Sequence, residues 1–302
     1  MKILFLSRYQ NIVNRGAEVF VSELAKRLSL KHEVKILPDQ DSGSYDVVIP
    51  MNGGMQVVKA SLGRIFKRYK LVVSGQAGIG RTSIINLMAA PDIFVALTDY
   101  MAKWASRWAW KSKIVKIPNG VDLSKFNSDG DKLNLGLEKP IILCVGALTW
   151  YKHHERIIEA MRYLDKGSLL IVGEGEQKKY LEEKGKRILG DRFKIQSFDY
   201  ADMPPVYRSC DLFTLPSWDR EAFGIVYLEA MASGLPVVAP NDLSRREIIG
   251  DAGIFVDTSD PEVYAKEINE GMKKNWKDLP RNQAEKFSWD KIAKDYEKII
   301  LI

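Results

Sequence analysis

Short apolar runs rich in β-branched residues alternate with helical patterns along the whole chain. The first half contains KILFLS, HEVKIL, YDVVIP, KLVVSG and DIFVAL, separated by amphipathic stretches such as AEVFVSELAKRL and RTSIINLM. After residue 140 the alternation restarts with IILCVG, SLLIVG, FKIQSF, DLFTLP and PVVAP. Strands that alternate with helices form parallel sheets covered by helices, so the pattern predicts an α/β fold.

One polar stretch interrupts this rhythm and indicates a domain boundary. It is NGVDLSKFNSDGDKLNLGLEKP, near residues 119–140, and it is rich in Asn, Asp and Gly. We therefore expect two Rossmann-like, doubly wound domains, over residues 1–136 and 137–285, that face a central cleft. The amphipathic stretch SWDKIAKDYEKIIL predicts a closing helix within 286–302 that packs back across the domain junction. Ligands of such sheets bind outside the carboxyl ends of the strands.

Length and composition exclude several classes of protein. The 302 residues are enough for about two domains, and 46% hydrophobic with 28% charged residues is typical of a soluble globular protein. No apolar run reaches the roughly 18 residues of a spanning helix, and the apolar part of MKILFLSR is too short for a signal peptide. We therefore expect a cytoplasmic protein. The two cysteines, Cys144 and Cys210, can build neither a disulfide framework nor a zinc site.

Positive charge is concentrated in the first half of the chain. Residues 1–136 contain 20 Lys and Arg against 11 Asp and Glu, whereas residues 137–302 contain 25 against 28. This asymmetry suggests that the first half faces an anionic partner, such as a phosphorylated substrate, a membrane surface or nucleic acid. The alternative is an ordinary solvated surface. Nucleic acid is the poorest of these partners, because no stacking platform or DNA-binding module is present.

The stretch VKASLGRIFKRYK predicts an amphipathic helix with a basic face. Its apolar side chains share one face that we expect to cover the sheet: Val58, Leu62, Ile65, Phe66 and Tyr69. Its basic side chains occupy the rest without an acidic partner: Lys59, Arg64, Lys67, Arg68 and Lys70. Each basic residue near an anionic surface contributes about 1 kcal/mol, which predicts peripheral binding to the inner face of a membrane. In YMAKWASRWAWKSK we expect Trp104 and Trp108 in the core and Trp110 at an interface.

The most informative segment is PSWDREAFGIVYLEAMASGLPVVAP, residues 216–240. It predicts a strand end, a loop, a helix from about Phe223 to Ser233 and the next strand. Backbone N–H groups at a helix start favour an anion, so the turn from Ala222 to Ile225 is suited to a diphosphate. Glu229, inside the helix, can accept hydrogen bonds from a vicinal diol such as a ribose. The alternative is that Glu229 caps or salt-bridges an ordinary helix.

This segment resembles the signature of glycosyltransferase family 4. The pattern is E-x-F-G-I, with a second Glu eight positions after the first. Similar stretches follow one another along nearly the whole chain: RGAEVFVSELAKRLSLKHEV, IPNGVDLSKF, LLIVGEGEQKKYLEE, AMASGLPVVAP and EIIGDAGIFVD. The family consists of retaining, nucleotide-sugar-dependent enzymes with the GT-B fold. The resemblance therefore implies sugar transfer from a UDP- or GDP-sugar, with retention, to a lipid-linked or other anionic acceptor.

The resemblance also implies roles for particular residues. Glu229 would bind the ribose hydroxyls, Glu221 a hydroxyl of the donor sugar, and Lys152 the charge of the leaving diphosphate. We expect Lys152 and Glu221 to act in catalysis. Gly16, in the first loop, would let the backbone approach the phosphates. The residues expected to bind the diphosphate are Ala222, Phe223, Gly224 and Ile225.

Two positions depart from the family pattern. Ala147 stands where Arg is usual, although Lys152 is present five residues later. A developing diphosphate needs positive charge, and Arg15 is a candidate to provide it. Gln76 stands where many members carry a His near the acceptor, so the proton of the acceptor would pass to the departing phosphate oxygen. These departures motivate an alternative function, a noncatalytic sugar-nucleotide-binding protein.

Other motifs indicate competing chemistry only weakly. GQAGIGRT, residues 75–82, matches a Walker A loop except for Arg81 in place of Lys, and Arg is not an equivalent point charge. No strand of Walker B type accompanies it. GEGEQK, residues 173–178, lacks the third glycine of a dinucleotide fingerprint. HHE, residues 153–155, lacks the spacing of a zinc helix, so we expect no metal or other cofactor.

Overall fold

The computed structural model describes residues 1–10, 12 and 16–301. The chain groups into two compact units. Unit 1 consists of Met1–Gly120, Arg220–Gly224 and Phe287–Ile302. Unit 2 consists of Val121–Asp219 and Ile225–Lys286. The domain limits at residues 136 and 285 stay a prediction.

Unit 1 contains a parallel six-stranded sheet. Its strands are β1 (Lys2–Leu6), β2 (Glu33–Leu37), β3 (Val47–Pro50), β4 (Lys70–Ser74), β5 (Ile93–Ala96) and β6 (Lys113–Lys116). Their order is β2-β1-β3-β4-β5-β6, and neighbouring strands pair in parallel. The helices between them are α1 (Gly16–Leu28), α2 (Met55–Gly63), α3 (Arg81–Met88) and α4 (Asp99–Ala105). Strands β1, β3 and β5 are buried almost throughout, as expected where helices cover both faces of a parallel sheet.

Unit 2 repeats this architecture. Its strands are β7 (Ile141–Val145), β8 (Ser168–Val172), β9 (Phe193–Gln196), β10 (Leu212–Thr214), β11 (Val237–Pro240) and β12 (Gly253–Val256). The parallel order is β12-β11-β10-β7-β8-β9. Its helices are α5 (His154–Ala160), α6 (Lys178–Leu189), α7 (Met203–Arg208), α8 (Ile225–Ala232), α9 (Leu243–Ile249), α10 (Pro261–Lys273) and α11 (Leu279–Glu285). The predicted α/β class with two doubly wound sheets is confirmed.

The strand order of each sheet reverses at one point. In unit 1 the reversal lies between β1 and β3, and in unit 2 it lies between β7 and β10. Loops that leave two such strands diverge to opposite sides, which opens a crevice at their carboxyl ends. The crevice is the position where doubly wound sheets bind ligands. The loops after β7 and β10 are therefore the first place to look for a site in unit 2.

The last helix, α12 (Trp289–Leu301), packs within unit 1. The ring of Trp289 is 1% exposed and lies edge-on to Phe20, with ring centroids 5.9 Å apart. A Cβ added to Gly120 would stand 2.6 Å from that indole, so only glycine fits there. The Tyr296 hydroxyl donates to the Ser74 hydroxyl at the end of β4, 3.2 Å away. The end of the chain therefore completes the core of its first part.

The prediction that the apolar face of VKASLGRIFKRYK covers the sheet is wrong. Helix α2 ends at Gly63, and the following residues turn back toward β4. Three of the predicted core residues are mostly exposed, namely Leu62 at 58%, Ile65 at 73% and Phe66 at 88%. Val57 and Ala60 are the buried positions of α2, and Tyr69 is buried as predicted. The prediction continued one helical period through Gly63, and it therefore assigned exposed side chains to the inner face of the helix.

The basic residues of this stretch also have partners that the sequence did not indicate. Arg64 pairs with the Asp92 carboxylate at 2.9 Å, so the prediction that it lacks an acidic partner is wrong. Lys67 donates to the carbonyl of Asp41 at 2.7 Å. Lys59 and Arg68 are exposed. The freely presented positive charge is therefore smaller than the sequence predicted.

Of the tryptophans in and just after α4, Trp108 differs from expectation. Helix α4 ends at Ala105, so Trp104 and Trp108 do not share one helix. Trp108 is 45% exposed and is not a core residue, whereas Trp110 is 65% exposed, as an interfacial residue would be. Among the residues that the structure describes, no helix combines the length and apolar character needed to cross a bilayer.

Replacing Trp289 by Ala tests whether α12 is part of the core of unit 1. We expect Trp289→Ala to lower the free energy of unfolding by about 3–5 kcal/mol, because it leaves a large cavity beside Phe20. Trp110→Ala removes an equally large but exposed ring and should change stability by about 0.5 kcal/mol or less. Urea unfolding measures both values. Similar small losses for the two variants would contradict this packing.

Candidate donor site

Glu229 lies in the second half of α8, buried with 4% of its surface exposed. The helix begins at Ile225, two residues later than predicted, and Gly224 precedes it with φ of +84°. That left-handed conformation favours glycine at the turn into the helix. Ala222 and Phe223 therefore belong to the loop before the helix. Ile225 provides its first backbone N–H.

Two tyrosines hold the Glu229 carboxylate. The Tyr207 hydroxyl of α7 donates to Glu229 Oε2 at 2.7 Å. Tyr200, which follows β9, also hydrogen-bonds to this carboxylate, and Lys125 Nζ lies 3.7 Å from the centre of the Tyr200 ring. Phe126 packs against both tyrosine rings, with centroids 5.7 Å apart in each case. An ionised carboxylate has about four acceptor positions, so two hydroxyl donors leave capacity for a ligand.

This environment sets the charge of Glu229. Burial raises the pKa of Glu229 to about 6, while the hydrogen bonds from Tyr207 and Tyr200 and the charge of Lys125 act in the opposite direction. The carboxylate is therefore ionised at pH 7 although it is buried. A desolvated anion is a strong acceptor of hydroxyl hydrogen bonds, which suits it to a diol. The role of Glu229 in binding a ribose stays a prediction.

One half-buried arginine, Arg281, fixes the chain around this cluster. Arg281 of α11 donates through Nη1 to the carbonyls of Phe126, at 2.9 Å, and Ala232, at 3.0 Å. Its Nη2 donates to the carbonyl of Leu123 at 3.3 Å. Arg281 therefore ties the segment that carries Lys125 to the end of α8. No sequence pattern indicates this contact, because its acceptors are backbone carbonyls far away along the chain.

Lys152 also lies in unit 2, at the end of a 3₁₀ turn that follows β7. The next residue, His153, adopts a left-handed conformation with φ of +53°, and α5 begins at His154. Burial, followed by the charges of Lys152 and His153, lowers the pKa of His154 to about 3. His154 is therefore neutral, and Lys152 contributes positive charge after β7 where Ala147 contributes none.

The other predicted site residues lie in unit 1. Gly16 is the first residue of α1 rather than a loop residue, and Arg15 lies outside the described residues. The Gln76 carboxamide exchanges two hydrogen bonds with Asn119, at 2.6 and 3.0 Å, and donates to the Ser74 hydroxyl at 3.1 Å. These contacts give Gln76 a structural role at the end of β4. Its contact with an acceptor stays a prediction.

The segment that carries Glu221 packs against the Walker-like turn. Gly78 has φ of +70°, and a Cβ added there would stand 2.6 Å from the Arg220 carbonyl oxygen. Gly78 therefore allows close backbone packing with the Glu221 segment, which explains the glycine without a phosphate loop. Phe223 of the same segment is buried, and its ring centroid lies 6.2 Å from that of Phe287.

The glycines of GEGEQK have a similar explanation. A Cβ on Gly173 would collide with the carbonyl oxygen of Gly146, and Leu148 N donates to the Glu174 carbonyl at 2.8 Å. The loops after β7 and β8 therefore pack backbone against backbone. Among the described residues, no three His, Cys, Asp or Glu side chains are arranged to hold a metal ion. Independence from metal stays a prediction.

The Tyr207 hydrogen bond should make stability depend on pH. Folding raises the pKa of Glu229 from 4.5 to about 6. The protonation of this carboxyl group therefore adds to the free energy of unfolding below about pH 4.5, and that addition is lost as the pH rises through about 6. Tyr207→Phe removes a donor that favours the ionised form, so the pKa should rise further. At pH 8, where the acceptor is charged, we expect a loss of about 1.5–3 kcal/mol in unfolding free energy, and a smaller loss at pH 5.

Denaturant unfolding of the two forms at both pH values measures this difference. The control is Tyr264→Phe, because the equally buried Tyr264 hydroxyl contacts the neutral hydroxyl of Thr214. Its loss in stability should be the same at pH 5 and pH 8. An equal, pH-independent loss for Tyr207→Phe would contradict the proposed coupling to Glu229.

Comparison with known proteins places the chain among glycosyltransferases. The family model described as glycosyl transferases group 1 matches residues 126–288. An uncharacterized glycosyltransferase of Methanocaldococcus jannaschii is 32% identical over 209 residues, which cover 61% of this chain and 53% of that protein. A phosphatidyl-myo-inositol mannosyltransferase of Mycobacterium leprae is 25% identical over 217 residues, 68% of this chain and 58% of the relative. The chain spans about half the length of the curated relatives it matches.

Solved structures agree with this result at the level of the fold. HepE of Anabaena, in complex with UDP, superposes with a TM-score of 0.80 at 18% identity over 99% of both chains. Sucrose-phosphate synthase of Thermosynechococcus elongatus gives 0.84 at 19% identity over 99% of this chain and 98% of the other. The predicted GT-B fold is thereby confirmed. Because the family model covers more than half of the 302 residues, this chain belongs to the family of glycosyl transferases group 1.

Proposed function

We propose that the protein transfers a sugar from a nucleotide diphosphate donor to an acceptor with retention of the anomeric configuration. The observation that carries this proposal is the buried Glu229 carboxylate, held by two tyrosines with acceptor capacity left for a ribose. Membership of the family and the UDP bound to HepE support a nucleotide-sugar donor. The mannosyltransferase relatives support a GDP-sugar as a second candidate, since two are named as GDP-mannose-dependent.

The remaining donor contacts follow from the chemistry of the named residues. The turn from Ala222 to Ile225 offers backbone N–H groups at the start of α8 to the diphosphate. Lys152 balances the charge that develops on the leaving diphosphate. Glu221 accepts a hydrogen bond from a hydroxyl of the donor sugar. The bond from the anomeric carbon to the phosphate oxygen breaks, the bond to the acceptor oxygen forms on the same face, and the acceptor proton passes to the departing oxygen.

A noncatalytic sugar-nucleotide-binding protein is the second candidate. Ala147 removes a cation from the loop after β7, and the Gln76 carboxamide is already engaged with Asn119. A binding protein needs the donor contacts of Glu229 but no leaving-group charge. Slow release of nucleotide from a UDP- or GDP-sugar therefore distinguishes the two functions, because only the transferase breaks the donor bond.

Three substitutions test the donor site separately. Glu229→Gln should weaken binding of UDP or GDP about 10- to 100-fold, because a neutral amide replaces a charged acceptor. Glu221→Gln should leave the affinity for the free nucleotide unchanged and weaken the intact sugar nucleotide. Lys152→Ala should reduce turnover more than donor binding, since the leaving-group charge grows in the transition state. Thermal shift and calorimetry give the affinities, and nucleotide release gives turnover.

Each outcome can count against one assignment. Unchanged nucleotide affinity in Glu229→Gln would refute the ribose contact. Equal losses of binding and turnover in Lys152→Ala would argue against a role on the leaving group. Turnover abolished by EDTA and restored by Mn²⁺ would mean that a metal takes part in the reaction.

We also propose that unit 1 binds an anionic membrane surface and receives a lipid-linked acceptor. The supporting surface, which we call the basic-apolar patch, consists of Leu62, Ile65 and Phe66 with Lys59 and Arg68. Its three apolar side chains are more than half exposed, and both basic residues are exposed. Relatives named as phosphatidyl-myo-inositol mannosyltransferases support a lipid acceptor.

The contacts of Arg64, Ile65 and Phe66 change how we expect membrane binding to depend on salt. Arg64 is tied to Asp92 and to the Ala90 carbonyl, so it holds the end of α2 in place instead of facing lipid. Exposed Ile65 and Phe66 offer apolar area whose burial is not screened by salt. We therefore expect both an electrostatic and an apolar contribution to binding. The loss of affinity in concentrated salt should be large but incomplete.

Liposome sedimentation tests the basic-apolar patch. Wild-type protein should bind vesicles that contain anionic lipid more tightly than neutral vesicles, because each Lys or Arg contributes about 1 kcal/mol near an anionic surface. The double variant Lys59→Glu, Arg68→Glu and the single variant Phe66→Ser should each reduce this binding at least severalfold. The matched control is Lys186→Glu, Arg187→Glu, on the exposed side of α6 in unit 2. Wild-type binding in the patch variants would contradict the proposal.

A further inference from the structure

Three segments of the chain reach the same edge of the sheet in unit 1. Residues 62–69 lead into β4, residues 88–92 into β5 and residues 106–112 into β6. These strands are neighbours and run in parallel, so the three segments lie side by side at their amino ends. Strands β4 and β6 are about 10 Å apart at the usual strand spacing. We call residues 106–112 the tryptophan loop and the three segments together the amino edge.

Asp92 ties the three segments to one another. Its carboxylate accepts hydrogen bonds from Arg64 Nη1 at 2.9 Å and from Leu71 N at 2.7 Å, and its carbonyl accepts one from Lys113 N at 3.0 Å. Arg64 also donates to the carbonyl of Ala90 at 2.7 Å. These bonds fix the starts of β4, β5 and β6 relative to one another. The tryptophan loop is therefore held next to the basic-apolar patch.

Large apolar side chains of the amino edge lie in solvent. In the tryptophan loop Trp108 is 45% and Trp110 is 65% exposed, and Met88, which precedes β5, is 65% exposed. The three apolar side chains of the basic-apolar patch, each more than half exposed, belong to the same edge. Single exposed apolar residues are ordinary, but six on adjacent segments form a patch of the kind that binds a membrane or another protein.

The charge of the amino edge favours an anionic bilayer over a protein partner. Its three segments contain five Lys and Arg against one acidic residue, Asp92, which is already in an ion pair. Arg68, Arg107 and Lys111 are exposed, and Lys111 Nζ lies 4.4 Å from the centre of the Trp110 ring. Positive charge attracts anionic lipid, whereas the core of a protein interface is depleted of charge. Indole rings are typical of the headgroup level of a membrane, where the ring is buried and its N–H keeps a polar partner.

We propose that the tryptophan loop enters the headgroup region of an anionic bilayer beside the basic-apolar patch. Unit 1 then stands on the membrane with the amino ends of β4, β5 and β6 toward lipid. This inference rests on the proposed function, because it deepens the membrane contact proposed there for unit 1. Trp108 and Trp110 are its anchors, and they come from a part of the chain that the basic-apolar patch does not include.

This orientation sets a distance that a lipid-linked acceptor has to span. Ligands of a doubly wound sheet bind at the carboxyl ends of its strands, which is the edge opposite to the amino edge. The four or five residues of β5 and β4, at about 3.3 Å each, place the carboxyl ends about 15 Å further from lipid. The head group of the acceptor must therefore extend about that far before its reacting hydroxyl.

Fluorescence quenching by brominated lipid tests the position of the tryptophan loop. The vesicles contain phosphatidylcholine and phosphatidylglycerol, with bromine on the acyl chains close to the head group, and the protein is the full chain. We expect quenching of wild-type fluorescence on binding, and the double variant Trp108→Phe, Trp110→Phe should lose most of it while it still binds. The matched control is Trp150→Phe in unit 2, because Trp150 is 56% exposed and packs edge-on against Trp218. Quenching should persist in this control.

Vesicle affinity gives a second readout. The double variant Trp108→Ser, Trp110→Ser should bind the same vesicles at least about tenfold more weakly, because two large rings lose their apolar contact. Its unfolding in urea should match that of the wild type, since both side chains are exposed. Trp150→Ser should bind vesicles as tightly as the wild type. Release of nucleotide from a UDP- or GDP-sugar in solution should be unchanged in the double variant.

Three outcomes would overturn the inference. Undiminished quenching in Trp108→Phe, Trp110→Phe, or undiminished affinity in Trp108→Ser, Trp110→Ser, would place the loop outside the bilayer even if the basic-apolar patch binds it. A concentration-dependent dimer that is lost in Trp108→Ser, Trp110→Ser, without vesicle binding by the wild type, would assign the loop to a contact between copies of the chain. Absence of vesicle binding alone would remove the membrane contact, whereas nucleotide release in the same preparation would still support sugar transfer.

Discussion

The burial of one carboxylate is the constraint on which the proposed donor site depends. Glu229 must remain ionised to accept a diol, yet its surroundings disfavour charge and raise its pKa to about 6. The hydroxyls of Tyr207 and Tyr200 offset this cost, and they come from α7 and from the turn after β9. Helices α7 and α8 and the end of β9 therefore have to meet at one point. Arg281 fixes the segment that brings Lys125 to the same cluster.

Much of the fold could be predicted from the sequence because its signals are local. Continuous apolar runs such as those of β1 and β8 indicate strands buried on both faces, and the intervening amphipathic patterns indicate helices. The position of Glu229 within a helix also followed from the turn chemistry around Gly224. The surface helix α2 could not be placed in this way. Its apolar period continued past Gly63, whereas the chain turned and left Phe66 in solvent.

Partners distant along the chain were beyond prediction. No local pattern singles out Tyr207, because its hydrogen bond to Glu229 exists only where α7 and α8 pack together. The same holds for Gln76, whose carboxamide pairs with Asn119 forty-three positions away. Nor did the sequence indicate that Trp150 and Trp218 meet, since their contact follows from the neighbouring positions of β7 and β10. Such contacts depend on sheet order, which a local pattern does not specify.

The central claim is that the buried Glu229 carboxylate binds the ribose of the donor. It is tested most directly by ¹³C NMR titration of the Glu229 carboxyl group, assigned with Glu229→Gln, in the presence and absence of saturating UDP or GDP. Without nucleotide the group should titrate near pH 6. Hydroxyl donors from the ribose favour the ionised form, so nucleotide should move the midpoint to lower pH. A midpoint near 4.5 that nucleotide leaves unchanged would contradict the account.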